Sequence, residues 1–358
     1  MSSTEVLLSG SRVLPTSGGL DAGFWATQGS NLLLGGVAIA VFLIVVVLIM
    51  YGADLIKGKL RDRIQLIVLV SPVLILLGVG LIWPALDTTW ISFNEIIDEP
   101  DPATGIYTTT MQFVGLENYR FAFSDPSTLR TILNTFVWMI LVPLLSTGFG
   151  LAYAVFIDRA KGEKVLKSLV FMPMAISLVG ASVIWGNIMY DYRQVGEQTG
   201  MLNAARSLVG LDPYNFLTDD PLNTVWLIII LVWIQTGFAM VILSAAIKGV
   251  PIEMNEAASL DGANAWQRFW SITIPSIRST IVVVLTTITI MALKVYDIVR
   301  TVTQGRNSTD IVANRMYVLS FVENRESLGA ALAVILFIFV VPIVIYNVRS
   351  LNKVKETR

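Results

Sequence analysis

The sequence contains no cysteine and no histidine. Those two absences exclude disulfides, thiol redox centres, zinc sites built from the usual ligands and any nucleophile activated by an imidazole. Charge is also scarce. Asp, Glu, Lys and Arg make up 14% of the chain, where an ordinary soluble domain carries about 25%. The formal net charge is −1, and no polybasic run exists that could follow a phosphate backbone, which argues against a nucleic-acid partner. A nucleotide-binding P-loop is missing as well, because Gly58-Lys59 is followed by Leu60 rather than Ser or Thr.

What fills the chain instead is apolar: 54% of the 358 residues. Seven runs, over 32–51, 65–91, 131–156, 168–190, 223–247, 280–298 and 328–346, approach the ~20 residues that cross a bilayer as a helix. They predict an all-α polytopic membrane protein with about seven transmembrane helices. Residues 1–31 are rich in Ser, Gly and Thr, with Arg12 as their one basic residue, and lack a signal-peptide pattern. They read as a polar external tail. Basic residues concentrate in alternate links: Lys57, Lys59, Arg61 and Arg63; Arg159, Lys161, Lys164 and Lys167; Lys248, Arg268 and Arg278; and Arg349, Lys353, Lys355 and Arg358. The positive-inside rule puts these links in the cytoplasm, hence the N-terminus outside and the C-terminus inside. The stretch 92–128 is acidic and turn-rich, and reads as an external loop or small lid.

Ionisable groups at membrane depth are costly and therefore informative. No carboxylate sits at the middle of a span, which counts against a proton-coupled carrier. The sixth span offers Thr286, Thr287 and Thr289, then Lys294, Tyr296 and Asp297 toward its outer end. Lys294 and Asp297 are spaced to share a helix face. The set reads either as a polar wall for a hydrophilic solute or as a snorkelling Lys–Asp pair above threonines bonded to their own helix. In the fifth span, Gln235 stands one turn from Phe238. An intramembrane Gln serves as interhelical glue. Beside a ring it also suits a sugar, whose hydroxyls bond amides and whose apolar face covers an aromatic.

Residues 248–279 form a link that is not simply polar. Pro251 suits the first turn of a helix whose positive end Glu253 and Glu256 complement. Asp261-Gly262 is a stop signal, and Trp266, Phe269 and Trp270 then mark one face of a second short helix until Pro275. Such a helix–glycine–helix knob either lies on lipid or docks into a partner's groove. The segment resembles the EAA loop of permease subunits of bacterial ABC importers, with pattern E-A-A-x-x-D-G-A followed by F-x-x-I-x-L-P. Glu256, Ala257, Ala258, Asp261, Gly262, Ala263, Phe269, Ile272 and Pro275 match it, with Ile274 in place of Leu. The resemblance extends over about 113–346, through Phe113-Val-Gly115, Asn134-Thr135, Gly148–Ala152 and Phe171-Met-Pro173. Within that family the chain is most similar to the larger partner of the maltose-type sugar permeases, and to α-glucoside and trehalose systems.

The resemblance implies a MetI-like permease core over 130–348, preceded by an extra N-terminal helix and its link (32–63) and by a helix with an external loop (64–129), and followed by a cytoplasmic tail (349–358). It implies a second homologous permease, a cytoplasmic ATPase dimer carrying ATP and Mg, an extracytoplasmic solute-binding protein and a sugar substrate, in the bacterial inner membrane. The chain would bind no cofactor and catalyse no reaction itself. Its coupling residues would be Glu256, Ala257, Ala258, Asp261, Gly262, Ala263, Trp266, Phe269 and Pro275. Its solute path would include Gln235, Phe238, Thr289, Lys294, Tyr296 and Asp297. Phe238 falls near a position where the maltose-type permease touches sugar with an aromatic, whereas Ala292 and Val295 do not match that family's polar residues. Two other classes stay open on the residues: an ATPase-independent transporter or channel, and an enzyme acting on lipid-linked sugar, for which Asp191 and Glu197 are the available carboxylates.

Overall fold

Long apolar runs become helices because lipid offers the backbone no partner outside its own chain. The computed structural model describes residues 59–100, 107–158 and 160–356, together with 44, 45, 47, 51 and 52. The expected span over 32–51 lies outside the described residues except for Ile44, Val45, Val47 and Tyr51, which are helical and exposed. By its contacts the chain divides into two units, Met1–Pro84 and Ala85–Arg358. In the first, α1 (Lys59–Leu77) continues through a π turn, Gly78–Ile82. Leu69, Val73, Leu76 and Val79 are each more than half exposed, the pattern of a helix that meets lipid or another subunit. With α2 (Trp83–Ile91) this run makes the candidate span Gln65–Ile91, which has the bounds expected from the sequence.

The second unit begins within α2 and continues into an antiparallel hairpin, β1 (Asn94–Pro100) and β2 (Tyr107–Phe113), with Asn94 opposite Phe113 and Ile97 opposite Thr110. The Thr-rich second strand supplies the β-branched residues that such pairing favours. It adds a small sheet to an otherwise helical chain. The short helix α3 (Glu117–Ser124) is tied to the hairpin by Asn118, whose amide donates to the carbonyls of Ser92 and Asn94 at 3.1 and 2.9 Å. Ile96 N–H donates to Ser327 Oγ at 3.1 Å, which joins the hairpin to the last helix.

The helix α4 (Pro126–Ile157) begins at a built cap. Asp125 Oδ2 accepts from Thr128 N–H at 2.8 Å and from the Ser127 and Thr128 hydroxyls, with Pro126 in the first turn. Those bonds, the Ser127 hydroxyl first, hold the Asp125 carboxyl below the usual carboxylate range. A group with a depressed folded pKa stabilises the fold above its unfolded pKa, and that contribution is lost as pH falls through the folded value. Asp125→Ala is expected to cost about 1 kcal/mol at neutral pH and Asp125→Asn far less. In thermal unfolding of the purified protein, the deficit of the Ala variant should shrink as the pH drops below the usual carboxylate range. A deficit independent of pH would show that the carboxylate is not what caps α4.

The next span is broken. Between α5 (Glu163–Phe171) and α6 (Leu178–Ile184), a 3-10 turn over Met172–Ala175 contains Pro173, and the halves bend by 101°. Proline removes a helical hydrogen bond and clashes with the preceding turn. A π turn (Trp185–Met189) and α7 (Met201–Leu208) lead to α8 (Leu222–Lys248). That helix is the centre of the unit: Leu227, Ile228, Ile230, Met240 and Leu243 are fully buried, and α4 packs along it. Then come α9 (Ile252–Leu260), α10 (Ala265–Arg268), a π turn (Phe269–Thr273), α11 (Ile274–Leu293), α12 (Asp297–Val302), α13 (Val312–Phe321) and α14 (Glu326–Glu356). Among the described residues five helices are long and apolar enough to cross a membrane, or six if the bent pair is one span. Each of the six expected spans beyond residue 64 has its counterpart there.

Candidate functional site

The segment that resembles the EAA loop leaves α8 at Lys248 and is built from two opposed local signals. Helix α9 ends in a Schellman arrangement: Ala263 N–H donates to Ala258 O at 2.9 Å and Gly262 N–H to Ser259 O at 3.1 Å. That closure requires a left-handed residue, and Gly262 has φ +82°. Asn264 then caps α10 reciprocally, its Oδ1 accepting from Gln267 N–H at 2.9 Å while its own N–H donates to Gln267 Oε1 at 2.8 Å. The sequence carried this capping box as Asn-x-x-Gln, a signal that the expectation above did not use. Four residues, Asp261 to Asn264, lie between the two short helices, and these closure and capping bonds shape the turn that joins them.

No residue of α9 or α10 is buried. Glu256, Ala257, Asp261 and Gly262 are exposed, Leu260 is 89% exposed and Trp266 69%. Trp266, Phe269 and Trp270 touch one another, with ring centroids 5.3–6.1 Å apart. Pro275 stands in the first turn of α11, and the π turn makes the second short helix continuous with the following span, over Ala265–Val302. A helix with apolar residues and no cover among the described residues is shaped for something else to cover it.

The residues expected along a solute path are less closely grouped. Gln235 is buried at 8% exposure in α8, and its amide forms no hydrogen bond among the described residues. Thr236 bonds back to Val232 O, and Phe238 is half-buried against the core. Thr289 donates to Leu285 O at 2.7 Å and Thr286 to Val282 O at 2.8 Å, so these hydroxyls serve their own helix. The expected shared face of Lys294 and Asp297 is not formed. Helix α11 ends at Leu293, Lys294 is its exposed C-cap, and Asp297 opens α12 after a break that holds Tyr296 against Tyr317 at 5.1 Å. Two non-helical positions lie between them, so helical spacing no longer relates the two residues, and among the described residues no ion pair joins them. Among the described residues, no hydrogen bond or ring contact joins Gln235 or Phe238 to Thr289, Tyr296 or Asp297.

Asn134 and Thr135, which entered above only through the family resemblance, belong to a polar seam with the loop before α13 at the hairpin end. Asn134 donates to the carbonyls of Ser308 and Asp310 at 2.6 and 2.9 Å, Thr135 Oγ1 accepts from Val312 N–H at 3.0 Å, and Asn223 donates to Asn307 O at 2.6 Å. Gln304, Asn307 and Ser308 have positive φ, so this tight loop is held in an unfavourable conformation by its partners. Burial pushes the Asp310 carboxyl above its usual range. A cavity of about 220 Å³ at the same end is lined by Glu95, Glu117, Asn118, Arg325 and Glu326 among others, and by none of the expected path residues.

The family described as "Binding-protein-dependent transport system inner membrane component" matches residues 36–352. The chain belongs to that family. An osmoprotective compounds uptake permease protein of Synechocystis sp., GgtC, is 43% identical over 290 residues, covering 81% of this chain and 99% of the relative. The α-glucoside transport system permease protein AglF of Rhizobium meliloti is 43% identical over 297 residues, covering 82% and 84%. The trehalose/maltose transport system permease protein MalF of Thermococcus litoralis is 30% identical over 294 residues, covering 79% and 92%. Among solved structures, a bacterial ABC transporter involved in alginate import matches with TM-score 0.64 at 23% identity, covering 82% of this chain and 99% of that one. Both the ABC importer permease resemblance read from the EAA segment and the helical, multi-span membrane fold are borne out, with the hairpin as an addition to the all-α expectation.

Proposed function

We propose that the chain is one of two permease subunits of an ATP-driven importer for an α-linked glucoside. The observation that carries this reading is 43% identity, over 82% of the chain, to a permease named for α-glucoside transport. The relative named for trehalose and maltose supports the same substrate class. Hydrolysis belongs to a cytoplasmic ATPase dimer with ATP and Mg, a second permease completes the path, and an extracytoplasmic solute-binding protein delivers the sugar. The unpaired amide of buried Gln235 and the neighbouring Phe238 face that path, together with Thr289 and Tyr296. The coupling segment lies on the cytoplasmic side, consistent with the basic residues that flank it, and turns ATPase closure into rocking of the spans, a two-state equilibrium biased by the partner.

The test is uptake of labelled maltose and trehalose by proteoliposomes holding the four-part complex, with and without ATP and the binding protein. Uptake requires both. Gln235→Ala removes one amide partner, about 1 kcal/mol, and should lower uptake or shift sugar preference roughly fivefold with assembly intact. Unaltered transport of every α-glucoside would reassign Gln235 to helix packing. In the same vesicles, a thiol at exposed Val195 should react with an impermeant maleimide from the binding protein's side, and one at Leu260 from the ATPase's side. The reverse pattern would invert the topology.

A further inference from the structure

The coupling segment is covalently joined to two spans, α8 at Lys248 and α11 through the π turn. Its displacement reaches α4 and α5 only through contacts, and where α8 ends those contacts include an ionic ring beside apolar packing. Asp158, the C-cap of α4, is paired with Lys167 of α5. Ser244 of α8, 2.8 and 3.1 Å from the two carboxylate oxygens, donates to Asp158 and accepts from Lys167. Lys167 also donates to Glu163 at 2.9 Å, Glu163 accepts from Lys248, and Lys248 lies 3.9 Å from Asp158. Two cations, two anions and one hydroxyl thus close a neutral ring across three helices.

The ring is not surface decoration. The side chains of Asp158 and Lys167 are 11% and 21% exposed, and Ser244 is buried at 3%. Water and salt therefore screen the central pair far less than an exposed one. Breaking it would strand a partly buried charge. The ring also stands directly before the coupling segment, whose first helix starts at Ile252. Deeper in the bundle, Gly150 and Gly237 bring the backbones of α4 and α5 against α8, so a tie at the ends completes contacts already rigid further in.

We infer that Asp158, Lys167 and Ser244 are positioning residues for transport, clamping the ends of α4 and α5 to α8 so that the coupling segment moves all three as one body. The inference rests on the importer reading, and the absence of cysteine makes it directly testable. Asp158→Cys with Ser244→Cys removes the ring, and an ethylene-bridged bis-methanethiosulfonate reagent ties the same two positions covalently. In the reconstituted complex the uncross-linked pair should hydrolyse ATP near the unsubstituted rate while sugar moved per ATP falls about tenfold, the scale of one coupling free energy. Cross-linking should restore that ratio to within about twofold of the unsubstituted complex, since a clamp need only hold. Lys167→Met, which keeps the length of the side chain, should show the same loss and decides the matter if the cysteine pair does not assemble.

An unchanged ratio in the uncross-linked pair or in Lys167→Met overturns the clamp. Arrest of uptake by the cross-link overturns it too, because the ring would then have to open in each cycle. Failure of ATP-dependent uptake by the unsubstituted complex would instead sink the importer reading itself, and the clamp with it.

Discussion

Gly150→Ala is expected to destabilise the complex, while Gly148→Ala, two residues earlier on the same helix, should not. A β-carbon at Gly150 would lie 2.4 Å from Ala239 Cβ and 2.8 Å from Met240 N, whereas one at Gly148 meets nothing within 4 Å. The obstacles at Gly150 are backbone and a β-carbon, neither of which can rotate away, so α4 and α8 must separate. Overpacking of this kind costs typically 1–3 kcal/mol, and a rigid neighbour puts it near the upper figure, about a hundredfold in the folding equilibrium. At Gly148 the same methyl only replaces a poor helix former, a gain of up to about 1 kcal/mol. Gly237 behaves like Gly150, its added carbon meeting Val170 O at 2.6 Å and Phe171 Cα at 2.9 Å. Thermal unfolding of the detergent-purified complex separates the two alanines by sign. If both shifted the midpoint equally, the α4–α8 approach would not be the close contact described.

These contacts also show what the sequence could and could not convey. Helix α8 and the span Gln65–Ile91 were legible because apolar length maps directly onto bilayer thickness. The turn at Gly262 was legible because only a glycine suits the left-handed closure after Asp261. The 101° bend between α5 and α6 was carried by Phe171-Met-Pro173, but counting apolar residues is blind to direction, so a single span over 168–190 was expected. The pairing of Lys294 with Asp297 failed for a related reason. Spacing places residues on a common face only while the helix lasts, and this one ends at Leu293. The hairpin was masked by its acidic first strand, and its Thr-rich second strand was the usable signal. The ring of Asp158, Lys167 and Ser244 spans up to 86 residues of sequence. No local pattern encodes such a pairing, because each partner looks like a solvated charge or hydroxyl until the helices are packed.

Gly262→Asp is expected to abolish uptake, and the geometry makes the cause separable. Among the described residues a β-carbon at Gly262 meets no atom within 4 Å, so the internal penalty is that of the left-handed backbone. That penalty is about 1–2 kcal/mol and is smaller for Asp than for most residues. The Ala263 and Gly262 bonds to α9 use backbone groups that the substitution keeps. The knob therefore survives, and its new carboxylate stands beside Asp261 on a surface that none of the described residues covers. Placing an unpaired charge in the centre of a partner's interface costs as much as losing a main anchor, ~2–4 kcal/mol or roughly a hundredfold or more in affinity. The ATPase should be released or uncoupled, with binding-protein affinity for sugar untouched. Glu256→Ala should be milder, about fivefold, because Ala257, Leu260 and Trp266 keep their apolar contacts and one polar pair is lost. Pull-down of the ATPase and uptake by the same preparation measure both effects. Retained ATPase and unsubstituted-level uptake in Gly262→Asp would mean that the exposed Trp266–Trp270 face lies on lipid, and that coupling runs through some other surface.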